Sequence, residues 1–404
     1  MSRQKVDSEM IVSIAASKLS GALPALDGSA LTGITGMLKG ASDPLVTTNP
    51  AGGVGSMYLN TADGEMFVCT DATTDANVWT NVGAGTGDII PVFYQGETYI
   101  YAVGQARLPS GERTGIENFL ISNEATRTDI GDLSARKDTA APAKSSTHGY
   151  SIGGFASNPG PSYVGGETIE KFSFASGAQT GALLNFNSSY QGAYRGGFSD
   201  GTYAYCAGRY QVISGVEYTT NTIERFNTST EAAIQDHGDL TYSCYSPGFH
   251  SSTTDGYTTG GEGAPGGSTF YSVCNKFSFT SNVTAALHGN LGHARGTGSC
   301  YNTPTHGYTA GGRSTGETGH SRICKMSFAS NTTTTDVGNL AFTRAYMAGG
   351  ASTVDFGYTM GGSASGTLTG SITAIEKHTY SNDTDSGTVG NLSLSSLTVT
   401  PNQI

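Results

Sequence analysis

"THGYSIGGFA" at residues 147–156 and "THGYTAGGRS" at 305–314 share most of their letters, and "DFGYTMGGSA" at 355–364 repeats the same grammar. Aligned on the tyrosine of "GY" or its equivalent, the copies fall at Tyr99, Tyr150, Tyr203, Tyr257, Tyr308 and Tyr358, spaced 50 to 54 residues apart. A fixed period near 50 means a repeat architecture, in which no unit buries its own apolar faces and each relies on its neighbours.

Each copy is built alike. An aromatic and a diglycine come first, as in "GYTTGG" (256–261), degraded to "TYAYCAG" (202–208) and "TYIYAVG" (98–104). After a polar stretch comes an alternating run: "TIEKFSF" (168–174), "TIERFNT" (222–228), "VCNKFSF" (273–279), "RICKMSF" (322–328) and "AIEKHTY" (374–380). Alternation with a period of two marks a half-buried strand. A Thr/Asp-rich stretch follows and ends in "GDL" or "GNL", at 131–133, 238–240, 289–291, 338–340 and 390–392. A run of small residues then leads into the next copy. Four short strands per copy make one propeller blade. Phe172, Phe174, Phe277, Phe279 and Phe328 are the expected inter-blade core. Blade one can be completed by "PVFYQGE" (91–97) or by the C-terminal "LSSLTVTP" (394–401), which would lock the first blade to the last.

Composition agrees. Glycine supplies 58 of 404 residues and charged residues 13%, against usual shares of about 7% and about 25%. The net charge of −11 reflects scarce lysine and arginine, and no basic cluster exists to neutralise a run of phosphates, which argues against nucleic-acid binding. No apolar run approaches the roughly 20 residues of a membrane span, and the N-terminus does not read as a secretory leader. The six cysteines form no CxxC pair; free buried thiols in a chain made in the cytoplasm are expected.

In period, diglycine and following strand the repeats resemble the kelch family. They depart from it in lacking the tryptophan that follows the diglycine, since Trp79 lies outside them. The fold class expected is all-β: a six-bladed kelch-like β-propeller over 91–404, preceded by an N-terminal fibre-type module. That module divides into an attachment and oligomerisation segment over 1–53 and a small β-hairpin or meander module over 54–90. Within it, "GSMYLNTADGEMFVCTD" (55–71) reads as a hairpin turning at Asp63-Gly64 and "NVWTNVG" (77–83) as a third strand. These stretches, with "GALPALDGSALTGI" (21–34), resemble modules at the attachment ends of bacteriophage tail-fibre and virion-fibre proteins. The resemblance implies a homotrimer, docked through its N-terminus onto other virion proteins of a tail or fibre, with a distal domain that meets a host-surface glycan or protein. A structural or decoration protein of the virion, whose ring mediates protein–protein contacts, is the alternative.

Motifs for chemistry give little. "GEGAPG" (261–266) matches GxGxxG, but Pro265 and a β context deny it the helix that a dinucleotide site needs. "NDTDSG" (382–387) lacks the acidic residue of a calcium loop's twelfth position. His148 and His306, and likewise His237 and His288, recur at matching repeat positions, as structural residues do. Glu170, Glu224 and Glu376 also recur, beside Lys171, Arg225 and Lys377, and are read as cross-strand or solvent-facing pairs. The residues therefore point to no enzyme, no cofactor and no metal. Binding is expected in the variable loops after the diglycine, through Tyr163, Arg209, Tyr210, Tyr218, Tyr271, Arg313 and His320, whose rings and donors suit sugar faces and hydroxyls.

Overall fold

The computed structural model describes residues 37–62, 64–82, 98–104, 114–135, 137, 139–154, 168–185, 192–193, 195–263, 269–316, 319–345, 349–364, 372–396 and 400–403. The Leu-rich stretch at 17–36, the segment 91–97, Asp63 and Tyr163 lie outside them. The chain divides into two compact units, Met1–Ile90 and Pro91–Ile404.

In the first unit Leu38–Gly40, Met57–Asn60, Met66–Asp71 and Val78–Asn81 form one sheet in chain order, the first pair parallel and the others antiparallel. The turn before Met66 uses Gly64 at φ +83°, the left-handed region that glycine tolerates. Strand alternation places Tyr58, Phe67, Cys69 and Trp79 on one face, with the Tyr58 and Trp79 rings 5.8 Å apart. The other face carries Met57, Leu59, Met66 and Val68, none of them fully buried.

The second unit is a six-bladed propeller of four-stranded antiparallel sheets. Blade 2 has Ala141–Lys144 innermost, then His148–Ile152, Thr168–Ser173 and Gln179–Asn185. Blade 3 repeats this with Gly196–Ser199, Tyr203–Ile213, Val216–Asn227 and Gln235–Cys244, and blade 4 with Gly248–Ser251, Asp255–Thr259, Val273–Ser278 and Ala286–Asn290. Blade 5 holds Ser299–Asn302, His306–Ala310, His320–Ser327 and Thr335–Arg344; blade 6 holds Gly349–Ser352, Phe356–Met360, Ile372–Thr379 and Gly387–Ser396. Blade 1 is assembled from both ends of the ring: Tyr99–Val103, Gly115–Leu120 and Asn123–Asp132 take the C-terminal Thr400–Gln403 as innermost strand. Of the two ways to complete blade 1, the tail is the one realised. Each innermost strand contacts the next, and the sixth returns to the first.

The structure corrects the alignment of two copies. Tyr150, Tyr257, Tyr308 and Tyr358 occupy the third position of their strands and are fully buried; the residues in that position in blades 1 and 3 are Tyr101 and Tyr205. Tyr99 and Tyr203 stand at the strand's outset, half-buried. The buried position is the one with work to do. Tyr101, Tyr150 and Tyr257 donate their hydroxyls to the carbonyls of Phe174, Thr228 and Phe328 in the following blades, and Tyr358 reaches Glu124 of blade 1.

Turn chemistry is equally regular. Ser145, Asp200, Ser252, Thr303 and Thr353 each accept, on a side-chain oxygen, the backbone N–H three residues on, at 2.7 to 3.1 Å. Such side chains mimic a backbone turn and so end the innermost strand at a set place. The glycine of "GDL/GNL" is explained by close approach. A Cβ on Gly238, with φ +109°, would overlap the carbonyl of Val283 in the next blade, and Gly289 stands in the same relation to Thr332. The five expected phenylalanines are all buried, each against its neighbouring blade: Phe172 and Phe174 against Tyr101 and Ile116, Phe277 and Phe279 against Tyr205 and Ile223, Phe328 against Tyr257.

Candidate functional site

In an antiparallel four-stranded blade, the loop between second and third strands and the crossing to the next blade emerge at the same end. This end gathers most of the ring's buried charge. Lys137, Arg195 and Arg295 stand in the crossings and Arg344 ends the fourth strand of blade 5, and each turns onto the third strand of the following blade. There Lys137 lies 4.0 Å from Glu170, Arg195 pairs with Glu224, and Arg344 Nη2 lies 2.6 Å from Glu376. Blade 5 puts Cys324, and blade 4 Asn275, where the other four blades have glutamate, and Arg295 donates to the Cys324 Sγ at 2.7 Å and to the carbonyls of Gly311 and Arg322. Burial pushes the Lys137 ammonium down to about 8, against the opposing pull of Glu170.

Of the two readings of the repeated glutamates, as cross-strand or as solvent-facing pairs, burial overturns the second, while in blade 3 a cross-strand pair is present between Arg209 and Glu224 at 3.3 Å. Glu170, Glu224 and Glu376 are buried; Lys137 and Arg195 reach the first two from the preceding crossing, and Arg344 reaches the third from the end of the preceding blade. A second bond supports Glu170 and Glu376, and the same bond holds Glu117 of blade 1: the residue after "GDL/GNL" donates its backbone N–H across the blade boundary, Ser134 to Glu170, Ala341 to Glu376 and Ser393 to Glu117. A buried carboxylate is tolerable only when paired and hydrogen-bonded, and Glu170 and Glu376 are both.

The sequence-predicted binding residues separate on this end of the ring. Arg209 and Tyr210 belong to no loop; they lie within the second strand of blade 3, where Arg209 joins Glu224 at 3.3 Å and Tyr210 packs on Tyr245 at 5.3 Å. Arg313 is buried and grips Glu262, with Nε at 2.9 Å. Glu262–Gly263 in turn pairs with Thr269–Phe270 as a short ribbon, so the start of "GEGAPG" is a strand. Tyr271 is half-buried against Tyr242, ring centroids 4.5 Å apart. His320 opens the third strand of blade 5, half-buried, its pKa held down by burial and by Arg295, His293 and Arg322. Tyr218 alone of the six described is exposed, at 44%. It stands on a hairpin whose strands run 11 and 12 residues, against 5 to 8 in the equivalent strands of the other blades. Ser214 and Gly215, φ +51° and +80°, close it as a two-residue turn of the type that matches strand twist. Ile213 and Val216, each 52% exposed, flank that turn.

Sequence reading missed the mouth of the ring axis. A pocket of about 100 Å³ opens there, walled by the starts of innermost strands, chiefly Gly197, Gly248, Gly298 and Gly350, with Arg195, Ser246, Thr297 and Cys300 beside them. The glycines are required by crowding: a Cβ on Gly350 would overlap the Cys300 backbone, and one on Gly197 would lie 2.7 Å from the Pro142 carbonyl. Just before the innermost strands, Thr139, Ser246 and Thr297 adopt φ of +59°, +51° and +59°. Left-handed backbone is rare for any side chain and strained for threonine, and such strain concentrates at functional sites. The signal available in the sequence was a small hydroxyl residue eleven positions before the tyrosine in three copies: Thr139 before Tyr150, Ser246 before Tyr257 and Thr297 before Tyr308.

The histidines follow repeat symmetry. His237 and His288 meet the carbonyls of Ser278 and Ser327 at 2.8 and 2.9 Å, one blade on in each case. Two others are buried without full hydrogen bonding, His250 between Thr309 and Thr259, and His378 among Tyr301, Tyr308 and Tyr380. Burial lowers both to about 4. The unfolded chain, near the ordinary 6.5, takes up these protons first as pH falls, so stability is intact above about pH 6.5 and is lost towards pH 4. Each contributes on the order of 2–3 kcal/mol to that loss. Phe198 and Phe277 hold the equivalent positions in other blades, so His250→Phe/His378→Phe should flatten the acid limb of a Tm-versus-pH curve. An unchanged limb assigns acid sensitivity to other groups.

No family model matches the sequence, and no curated protein matches it either. Among solved structures, one described as the structure of YjhT is similar, with 12% identity, a TM-score of 0.53, and coverage of 66% of this chain and 87% of that one. The likeness is one of fold.

Proposed function

We propose that this chain is a phage virion fibre protein, anchored to the particle through its N-terminal unit as a homotrimer, whose propeller binds a host cell-surface receptor of glycan type. The observation that carries the reading is the blade 3 hairpin, which holds an aromatic ring and two aliphatic side chains in water on a paired strand ribbon at the same end of the ring as the axial pocket. Exposed apolar groups on a rigid support are characteristic of contact surfaces, and aromatic faces suit the apolar faces of sugars. The propeller binds its ligand without transforming it. Glu170, Glu224, Glu262 and Glu376 are all committed to buried cations, which leaves them poorly placed for proton transfer. The incompletely covered face of Met57, Leu59, Met66 and Val68 supports assembly of several chains through the first unit.

The test is a glycan array of host-surface saccharides probed with the full chain, its mass checked by light scattering against three times 41.6 kDa. Ile213→Ser/Val216→Ser/Tyr218→Ala should retain the wild-type Tm and lose at least about tenfold in affinity, the equivalent of about 1.4 kcal/mol. An array with no binder would move the chain to the decoration reading.

A further inference from the structure

We propose that the axial pocket is itself a saccharide subsite, taking the hydroxyl-bearing edge of one neutral sugar unit; the inference rests on the receptor-binding reading and assigns a place and a ligand class to it. Ser246 is 2% exposed and its Oγ has no hydrogen-bond partner. A buried hydroxyl left unsatisfied is costly, and the residue that carries it lines a cavity roomy enough for several waters or a small polar group. Its backbone is held at φ +51°, as is that of Thr297 on the same wall at +59°. The chain therefore carries strain to present small hydroxyl residues where larger ones would close the mouth.

The chemistry of the wall selects the ligand. Innermost strands pair on one side only, so alternate N–H and C=O groups face the axis and offer both donors and acceptors. Glycines expose that backbone without side chains in front of it. Among the described residues no carboxylate lines the pocket, and Arg195 on its rim is bound to Glu224. A metal ion finds no anionic ligand there, and an apolar group would strand the Ser246 hydroxyl. A sugar edge, whose hydroxyls donate and accept, matches the mixture.

Cys300 supplies the readout, because it lines the pocket and is the one cysteine of the six that is not buried. The full chain is titrated with the methyl glycosides of glucose, galactose, mannose and N-acetylglucosamine, and with glucuronate, by saturation-transfer NMR. Iodoacetamide labelling of Cys300 is followed in parallel by mass spectrometry. At least one neutral glycoside should bind and slow labelling tenfold or more at saturation. Ser246→Ala should weaken that binding by roughly tenfold, the worth of one lost hydrogen bond. Cys300→Met, which fills the mouth, should abolish it, while Tyr218→Ala should leave Cys300 protected. Glycoside binding without protection of Cys300, or protection by glucuronate alone, overturns the subsite. If the array binds the chain but no glycoside protects Cys300, recognition lies on the hairpin and the receptor reading survives alone. If neither array nor glycosides bind, both fail.

Discussion

Removing residues 397–404 should collapse the propeller's cooperative unfolding, although the deletion takes only the last eight residues. The lost strand, Thr400–Gln403, pairs with Tyr99–Val103 over four positions and contacts the innermost strands of blades 2 and 6. Its loss opens the cycle of innermost strands and bares a sheet edge beside Ile100 and Tyr101, both fully buried. Ladder hydrogen bonds at about 1 kcal/mol each and apolar area at about 25 cal/mol per Å² together put the cost at about 5 kcal/mol or more. That is comparable with the whole stability of many domains, about 5–15 kcal/mol. A fall in Tm of about 10 °C or more is expected by calorimetry, with partial recovery when a synthetic 394–404 peptide is added. A truncated chain melting within about 2 °C of the full one would show that the tail pairing contributes little.

The second large effect is expected at Glu376. Its carboxylate accepts from Arg344 Nη2 at 2.6 Å, from the Ala341 N–H at 2.5 Å and from Ser386 Oγ at 2.6 Å, and both charged side chains are wholly buried. Glu376→Leu leaves the Arg344 guanidinium buried without its counter-charge, at a cost of about 3–5 kcal/mol. Arg344→Met alone should cost a similar amount for the converse reason. The pair Glu376→Leu/Arg344→Met should recover most of either loss, because two apolar groups remove the desolvation penalty along with the attraction. Denaturant titration of the four proteins gives the coupling energy directly. Additive single losses would mean that the pair is not the interaction holding blades 5 and 6 together at this end. Blade 5 offers a natural comparison, since Arg295 already faces Cys324 rather than a carboxylate.

Much of the fold was legible because it is written locally. A side-chain oxygen three residues before the second strand makes the turn in five blades, and alternation in "TIEKFSF" makes a strand wherever it stands. The buried phenylalanines were legible for the same reason. The candidate site was less so. Arg209, Arg313 and Tyr210 have the composition of ligand-contacting residues, yet Glu224, Glu262 and Tyr245 claim them, and no spacing in the sequence announces those partners. Tyr218 differs from them only because its hairpin outruns the sheet. Ser246 and Cys300 are unremarkable letters until six strand ends converge on the axis.

By itself, then, the sequence determined the number of blades, their strands and turns, because each depends on residues within one repeat that is copied six times. Three things were decided by tertiary structure alone. The ring closes through its tail, Lys137, Arg195 and Arg344 pair one blade onward, and a pocket opens where the innermost strands meet. Each depends on contacts such as Ser393 with Glu117, 276 residues apart. Within a single repeat both partners are ordinary polar residues; only the closed circle brings them within a hydrogen bond of each other.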